Sequence, residues 1–267
     1  MGRIKVAVAG ASGKMGQASV SAIRSDPELQ LVGAVARRWA GRDLGEVMAG
    51  QPWGISCRAD VQECLEADRP DVLVDFTHPE VGAQHALWAL ANGTRPVVGT
   101  TGLKKEDLAA IEQACEKSGL GAAVIANFSL GATLLARFAM EAARYFPEIE
   151  IIEMHHQDKV DAPSGTALHL AQELAAKIHT VNRPASIERL PGVRGGAVNG
   201  IRIHSLRLPG VMARHTVVLG GLGQTIEITH DSIDRNAFMP GLIIAIKKVV
   251  ALDRVVYDLA ALLDDGP

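Results

Sequence analysis

The sequence predicts an α/β fold in two parts: a doubly wound parallel sheet, then a second α+β domain with a mostly antiparallel sheet. In the first half, short aliphatic runs alternate with helical segments, which is typical of βαβ units. In the second half, strand-like runs alternate apolar and polar residues, as in a sheet with one open face. The 267 residues are long for one compact α/β unit and sufficient for two.

Five strands and four helices are predicted up to residue 126. The strands are expected at 4–9, 29–35, 72–76, 96–98 and 122–126, and the helices at 13–25, 59–67, 79–91 and 104–117. Each strand is a continuous run of small aliphatic residues, as expected when both sheet faces are covered. Proline, glycine and asparagine residues separate the elements and mark the turns between them.

The second half is predicted to begin with a helix near 130–145. Alternating strands are expected at 149–154, 201–206, 216–219 and 225–229. The glycine-rich stretch 220–223 predicts a hairpin, and 180–200 predicts a long loop. Residues 236–263 are predicted to be helical again.

Composition excludes several classes of protein. Hydrophobic residues make up 48% and charged residues 21%, so the chain is expected to fold rather than stay disordered. With 27 Lys and Arg against 30 Asp and Glu, and only 4% aromatic residues, no nucleic-acid partner is expected. No apolar run approaches the roughly 18 to 20 residues of a membrane span, so no membrane partner is expected.

The cysteines and the first residues bear on localisation. Cys57, Cys64 and Cys115 are odd in number and lack C-x-x-C spacing, which fits neither a disulfide framework nor a zinc ribbon. The apolar stretch 6–9 runs directly into a glycine turn, so it is predicted to be a buried strand and not a signal peptide. A cytoplasmic protein is expected.

A glycine turn follows the first predicted strand and opens the first predicted helix. Gly10 allows a tight turn, Gly13 lets the backbone approach a pyrophosphate, and Gly16 allows close packing of helix on strand. The spacing is G-x-x-G-x-x-G, and a purely structural turn is the alternative. Its position predicts a Rossmann-type dinucleotide site at Gly10, Ala11, Ser12, Gly13, Lys14 and Met15.

The end of the second strand bears on the choice between NADPH and NADH. An acidic residue is expected there when the ribose 2′-hydroxyl is bound, but the position holds Ala36, followed by Arg37 and Arg38. A guanidinium binds a 2′-phosphate, so this departure favours NADPH, with Arg37 as its partner. The alternative is that the two arginines form an ordinary solvated loop.

Three further clusters lie where later strands end, which is where open α/β sheets bind ligands. They are Phe76 and Thr77 with His78, then Gly99, Thr100 and Thr101, and finally Asn127 and Phe128. Small hydroxyl side chains between glycines could serve a nicotinamide or a ribose. Each cluster alone would be a plain turn.

The segment 153–167 carries the strongest signal. Two adjacent histidines, His155 and His156, precede Lys159 and a turn of Ser164, Gly165 and Thr166 that opens a helix. Cationic side chains beside free helix amides suit an anionic substrate. The spacing lacks that of zinc sites, so no metal is expected. A polar loop with a helix-capping Ser or Thr is the alternative.

At this segment the chain resembles the 4-hydroxy-tetrahydrodipicolinate reductase (dihydrodipicolinate reductase) family. Its motifs occur in order: G-x-S-G-K-M-G, D-F-T, G-T-T-G-L, A-N-F-S-L-G and E-x-H-H-x-x-K-V-D-A-P-S-G-T-A. Weaker similarity continues through 204–210 and 227–230, so the resemblance spans almost the whole chain.

The resemblance implies a nicotinamide-dependent reduction, with loss of water, of a cyclic dicarboxylate to tetrahydrodipicolinate. It implies that His155 and Lys159 are the catalytic pair, that His156, Ser164, Gly165 and Thr166 hold substrate, and that Ile125 and Ala126 join the cofactor residues. It further implies a four-stranded substrate domain and a homotetramer. We therefore divide the chain into 1–126 for the dinucleotide, 127–239 for substrate and oligomerisation, and 240–267 as a C-terminal helix returning to the first domain.

Two departures from the family and two other functions remain open. Ala36 replaces the usual acidic residue, and His78 stands where some members carry arginine. A different two-domain dehydrogenase of an amino-acid pathway would keep the glycine turn but would have no use for the segment 153–167. An NADP(H)-sensing protein without turnover would need neither His155 nor Lys159.

Overall fold

The computed structural model describes residues 2–178 and 187–263. The chain divides into two compact units, one of Met1–Ser129 with Phe238–Pro267 and one of Leu130–Ala237. Within the described ranges, no helix has both the length and the apolarity to cross a membrane.

The first unit contains a seven-stranded parallel sheet. Its strands are β1 (Ile4–Ala9), β2 (Leu29–Val35), β3 (Cys57–Arg58), β4 (Val72–Asp75), β5 (Arg95–Val98), β6 (Ala122–Val124) and β12 (Val255–Val256). They lie in the order β12-β6-β5-β4-β1-β2-β3. This is the doubly wound order 3-2-1-4-5-6 with one strand added, and its switch point lies between β1 and β4. The predicted α/β class is confirmed.

Seven α-helices accompany this sheet in the described residues. They are α1 (Lys14–Ser25), α2 (Leu44–Ala49), α3 (Val61–Asp68), α4 (Pro79–Ala91), α5 (Lys105–Ser118), α8 (Met239–Val249) and α9 (Ala260–Leu263). The four helices predicted in the first half begin and end within two residues of α1, α3, α4 and α5. The prediction missed α2, which is short and depends on Asp43. This carboxylate accepts hydrogen bonds from the amides of Gly45 and Trp53, at 2.7 and 2.8 Å.

The second unit contains a five-stranded sheet, in the order β11-β10-β7-β9-β8. Its elements are α6 (Leu130–Ala143), β7 (Glu148–His155), α7 (Gly165–Ala175), β8 (Gly196–Val198), β9 (Ile201–Arg207), β10 (Ala213–Gly221) and β11 (Gln224–Ser232). Neighbouring strands are antiparallel except β7 and β9, which are parallel. A mostly antiparallel sheet is therefore correct. Buried residues of α6 and α7 cluster with those of β7, β9 and β10 to form the core of this unit.

Two predictions about the second half are wrong. The expected four strands are five, because β8 lies in the predicted loop 180–200 and pairs with the edge of β9; positions 180–186 of that loop lie outside the described residues. The expected helix over 236–263 is interrupted by β12, which pairs with β6. The carbonyl of Leu252 accepts a hydrogen bond from the Gly121 amide at 2.8 Å. The residues after α8 therefore pair with the edge of the sheet and do not continue the helix.

Candidate functional site

The glycine turn after β1 has the geometry of an anion cradle. Gly10 has a φ of +80°, and a Cβ there would lie 2.7 Å from the Phe76 carbonyl oxygen. A Cβ on Gly16 would lie 2.1 Å from the Gly10 carbonyl oxygen, so both positions require glycine. No side chain caps α1 and no acidic residue lies in its first turn. The amides of that turn can therefore bind a phosphate group, which fits a dinucleotide.

The predicted clusters at the strand ends meet at the same edge of the parallel sheet. The Phe76 and Phe128 rings pack edge to face with centroids 5.7 Å apart. A Cβ on Gly99 would lie 2.2 Å from the Phe76 ring and 2.8 Å from that of Phe128. Thr101 and Ala126 are exposed beside them. The first unit thus brings together the loops after β1, β4, β5 and β6.

A buried carboxylate, Asp75, organises two of these loops and was missed by the sequence analysis. It accepts hydrogen bonds from the Thr77 hydroxyl at 2.6 Å and from the Thr100 hydroxyl at 3.1 Å. His85 Nδ1 lies 2.6 Å from its second oxygen. Burial acts to raise the pKa of the Asp75 carboxyl, but hydrogen bonds from His85 and Thr77 outweigh it and the pKa is lowered. The sequence feature that could have pointed to Asp75 is a single acidic residue at the end of an aliphatic strand.

Arg37 and Arg38, which follow β2, differ in the contacts that their side chains make. Arg38 Nη2 donates to the Ser12 carbonyl at 3.3 Å, and its guanidinium lies 4.9 Å from the Trp39 ring centroid. Arg37 is exposed, and its side chain makes no hydrogen bond or ion pair within residues 2–178 and 187–263. Arg37 is therefore available to a ligand, whereas Arg38 contacts the glycine turn.

In the second unit, the alternation along β7 places Glu153 and His155 on its buried face. His155 Nδ1 lies 2.5 Å from Glu153 Oε2. Arg207 holds the same carboxylate in a bidentate pair, with Nη1 3.0 Å from Oε2 and Nη2 2.9 Å from Oε1. The Glu153 side chain is 0% exposed. Burying an unpaired carboxylate would cost free energy, and the hydrogen bonds from His155 and Arg207 offset this cost.

The charges of this pair follow from its surroundings. Burial acts to raise the pKa of Glu153, but hydrogen bonds from Arg207, Ser205 and His155 outweigh it and the pKa is lowered, so Glu153 is ionised. Burial lowers the pKa of His155 and exceeds the opposing effect of Glu153. A neutral imidazole facing an ionised carboxylate carries its proton on Nδ1. Nε2 of His155 is then left as an acceptor.

Lys159 and His156 lie in the loop after β7. Lys159 Nζ donates to the two carboxylate oxygens of Asp161 at 2.8 and 3.0 Å. Lys159 is partly buried, while His156 and Asp161 are exposed. The Lys159 amide donates to the His156 carbonyl at 3.1 Å, which closes the turn between them. This loop presents one ammonium group and one imidazole.

The start of α7 separates the predicted substrate residues into two kinds. Ser164 is buried and caps the helix, because its hydroxyl accepts from the Ala167 amide at 3.2 Å. Its own amide donates to Glu153 Oε1 at 3.3 Å. The Gly165 and Thr166 amides and the Thr166 hydroxyl have no partner in the described part of the chain. A Cβ on Gly165 would meet nothing within 4 Å, so there is open space beside the start of α7.

His215, on β10, is a second buried histidine that the sequence analysis missed. Its ring centroid lies 5.4 Å from that of His155, and its Nε2 lies 3.2 Å from the Ser164 hydroxyl. Burial lowers the pKa of His215 to about 4, so it is neutral at pH 7. The sequence feature that could have pointed to His215 is its place beside the predicted strand 216–219. Among the described residues, no three His, Cys, Asp or Glu side chains are grouped to hold a metal ion.

Comparisons with known proteins agree over the full length. The model of the N-terminal part of dihydrodipicolinate reductase matches residues 4–128, and that of the C-terminal part matches 131–263. The 4-hydroxy-tetrahydrodipicolinate reductase of Moorella thermoacetica is 45% identical over 262 residues, covering 98% of each chain. That of Bacillus subtilis is 42% identical over 263 residues, again covering 98% of each.

Solved structures give the same result. A dipicolinate-bound dihydrodipicolinate reductase from Paenisporosarcina sp. TG-14 superposes with a TM-score of 0.90 at 38% identity, covering 98% of this chain and 100% of that one. An amine dehydrogenase from Mycobacterium smegmatis, at 16% identity and a TM-score of 0.65, shares the fold over 94% of this chain and 95% of that one. Since the family models and the relatives match nearly every residue, the chain belongs to the dihydrodipicolinate reductase family.

Proposed function

We propose that this chain catalyses the reaction of its family, the NAD(P)H-dependent reduction of 4-hydroxy-tetrahydrodipicolinate to tetrahydrodipicolinate with loss of water, in diaminopimelate and lysine biosynthesis. One observation carries the proposal: His155, held by a buried carboxylate, shares its unit with Lys159 and with unpaired amides at the start of α7. A cofactor sensor without turnover would not need this arrangement. Turnover with a supplied substrate tests the proposal.

The first unit would hold the cofactor. The amides of α1's first turn would bind the pyrophosphate, and the loops that carry Thr77, Thr100 and Asn127 would offer polar groups to the nicotinamide and its ribose. When bound, the reduced nicotinamide supplies a hydride. Asp75 would keep the Thr77 and Thr100 hydroxyls in place, because it accepts a hydrogen bond from each.

Arg37 favours NADPH because its guanidinium can bind the 2′-phosphate. An acidic residue at the end of β2 would instead repel that phosphate and favour NADH. We expect the protein to use NADPH at least as well as NADH. Arg37→Ala should weaken NADP⁺ binding by about 10- to 150-fold, the equivalent of a charged hydrogen bond of roughly 1.5 to 3 kcal/mol. Binding of NAD⁺ should change little. Calorimetric titration of both cofactors measures the two effects.

Arg42→Ala is the matched control for this prediction. It removes the same charge from an exposed arginine five residues along the chain, and it should leave both affinities near those of the parent. A strong preference of the parent for NADH, or an equal loss in both variants, would refute the assignment of Arg37.

The second unit would hold the substrate, a cyclic dicarboxylate. A carboxylate at the start of α7 could accept from the amides of Gly165 and Thr166 and from the Thr166 hydroxyl, which are unpaired in the described residues. His156 and Lys159 would add positive charge. Ser164 would fix this turn, because its hydroxyl caps α7 and its amide is bonded to Glu153. The relative from Paenisporosarcina, with dipicolinate bound, supports a planar dicarboxylate as ligand.

Thr166→Val tests the substrate site, because it keeps the shape of the side chain and removes its hydroxyl. Pyridine-2,6-dicarboxylate, titrated into the cofactor complex, should bind about 5- to 150-fold more weakly, the equivalent of roughly 1 to 3 kcal/mol for a carboxylate oxygen left poorly paired. The melting temperature should change little, since Ser164 and not Thr166 caps α7. Thr225→Val, at an exposed threonine of β11, is the control. A lower melting temperature with unchanged affinity would reduce Thr166 to a structural role.

The roles of the catalytic pair follow from their charges. The substrate loses its hydroxyl, with a hydrogen from the adjacent carbon, as water. Hydride addition then leaves a carbon that must take up a proton, and the Lys159 ammonium can donate it and then be reprotonated by solvent. Asp161 would keep the ammonium in the loop, at 2.8 Å. His155 is neutral and offers Nε2 as an acceptor to a substrate or solvent proton. Both groups lie in one eight-residue strand and the loop after it.

We further propose a cytoplasmic homotetramer. The three cysteines are buried thiols, which suits a reducing compartment. One face of the second sheet carries half-buried apolar side chains such as Ile152 and Val218, and it would pack against another copy. Sedimentation velocity should give about four times the chain mass of 28.3 kDa. A monomer at micromolar concentration would contradict the tetramer.

A further inference from the structure

We propose that Glu153 is a positioning residue, whose buried carboxylate orients the His155 imidazole, anchors the start of α7 and, through Arg207, fixes the loop that carries Lys159. This inference rests on the proposed roles of His155 and Lys159. It concerns a residue that touches neither ligand in the proposed site.

The contacts of Glu153 connect three elements of the second unit. Within β7 it accepts from His155 Nδ1 at 2.5 Å, and at the start of α7 it accepts from the Ser164 amide at 3.3 Å. It also accepts hydrogen bonds from both terminal nitrogens of Arg207, on β9. A carboxylate can accept about four hydrogen bonds, and these donors occupy both of its oxygens.

Arg207 extends the network to the loop after β7. Its Nη2 also donates to the Asp161 carbonyl at 2.6 Å, and the side chain of Asp161 holds Lys159 Nζ at 2.8 Å. Asp161 is thus bound to Arg207 through its backbone and to Lys159 through its carboxylate. Arg207 Nε is buried without a partner in the described residues, so the contacts of this guanidinium with Glu153 and Asp161 are made by its two terminal nitrogens.

A purely structural role would not require a charge at this position. Apolar side chains of similar volume often stabilise a core as well as a buried ion pair does. A carboxylate on Nδ1 does what an apolar group cannot, because it fixes the tautomer and leaves Nε2 as the acceptor. The Asp of a Ser–His–Asp triad has the same relation to its histidine.

The groups around His155 make the effect of Glu153 measurable. The charged or titratable groups that act on the imidazole are Glu153 on its own strand, Lys159 in the loop, Arg207 on β9 and His215 on β10. Of these, Glu153 is the sole anion, and it opposes the lowering of the His155 pKa. Removal of its charge should therefore lower the pKa of His155 further.

The test is Glu153→Gln in the full-length protein, studied by NMR of labelled histidines, with the His155 signal assigned from its loss in His155→Gln. We expect a lower His155 pKa than in the parent, a kcat lower by up to about 10⁴-fold and an unchanged KM for the cofactor. Glu173→Gln is the matched control, because Glu173 pairs with His169 at 3.4 Å on the surface of α7. It should leave the His155 titration and kcat unchanged.

If Glu153→Gln does not fold, a second variant can be used in its place. Glu153→Asp keeps the charge but moves it away from Nδ1, and it should also lower kcat. A folded Glu153→Gln or Glu153→Asp with parental kcat and a parental His155 titration would overturn the inference. His155→Ala separates the two proposals: full kcat in that variant contradicts the proposed role of His155, whereas loss of kcat there but not in the Glu153 variants contradicts only the role of Glu153.

Discussion

Replacement of Lys159 by alanine should lower kcat by about 10²- to 10⁴-fold, the usual cost of removing one general acid. The ammonium is expected to donate the proton that the substrate carbon takes up after hydride addition. The proposed cofactor residues belong to the first unit, in a glycine turn and three loops, whereas Lys159 belongs to the second unit. The cofactor Kd should therefore stay near that of the parent. Turnover and cofactor titration, measured on the same sample, separate the two effects.

Lys177→Ala is the control for this prediction. It removes the same charge from an exposed position just after α7 and should leave kcat unchanged. If Lys159→Ala kept near-full kcat, or if both lysine variants lost turnover equally, Lys159 would not be the proton donor.

Replacement of His155 by alanine should also lower kcat by about 10²- to 10⁴-fold, and it should change the pH dependence. Burial lowers the pKa of His155, so its neutral form is present at pH 7. If the neutral form is the active one, kcat/KM of the parent falls as the pH is lowered through the His155 pKa, below the ordinary value of 6.5. His155→Ala should lose this acid limb. The measurement is kcat/KM across the acidic range for both proteins.

His169→Ala is the matched control, because His169 lies on the exposed side of α7 in a surface pair with Glu173. It should keep both the rate and the acid limb. An acid limb that is identical in His155→Ala and in the parent would assign that limb to another group and would contradict the active role of neutral His155.

Most of the first unit could be predicted from the sequence, because its strands are continuous aliphatic runs and turn residues separate its helices. The ends of β1 and β2 agree with the predictions to the residue. The elements α2, β3, β8 and β12 could not be predicted from hydrophobic periodicity. The helix depends on backbone hydrogen bonds to Asp43, and the three short strands form only by pairing with an existing sheet edge.

The candidate site was predictable where its residues are close in sequence. His155, His156, Lys159 and Thr166 all lie within twelve residues of one another along the chain. The groups that hold them are distant: Arg207 bonds Glu153 across 54 positions and His215 contacts Ser164 across 51. Such pairs are set by the register of β7 with β9 and β10, which no local pattern reveals.

Turnover by this protein can be measured with the substrate generated in place. Pyruvate and aspartate semialdehyde are supplied with the synthase that condenses them, and the near-ultraviolet absorbance of NADPH is followed after addition of this protein. We expect rapid oxidation of NADPH that depends on both supplied compounds and nearly disappears with Lys159→Ala. Binding of NADPH without its oxidation, under the same conditions, would contradict the proposed reductase activity and favour a cofactor-binding protein without catalysis.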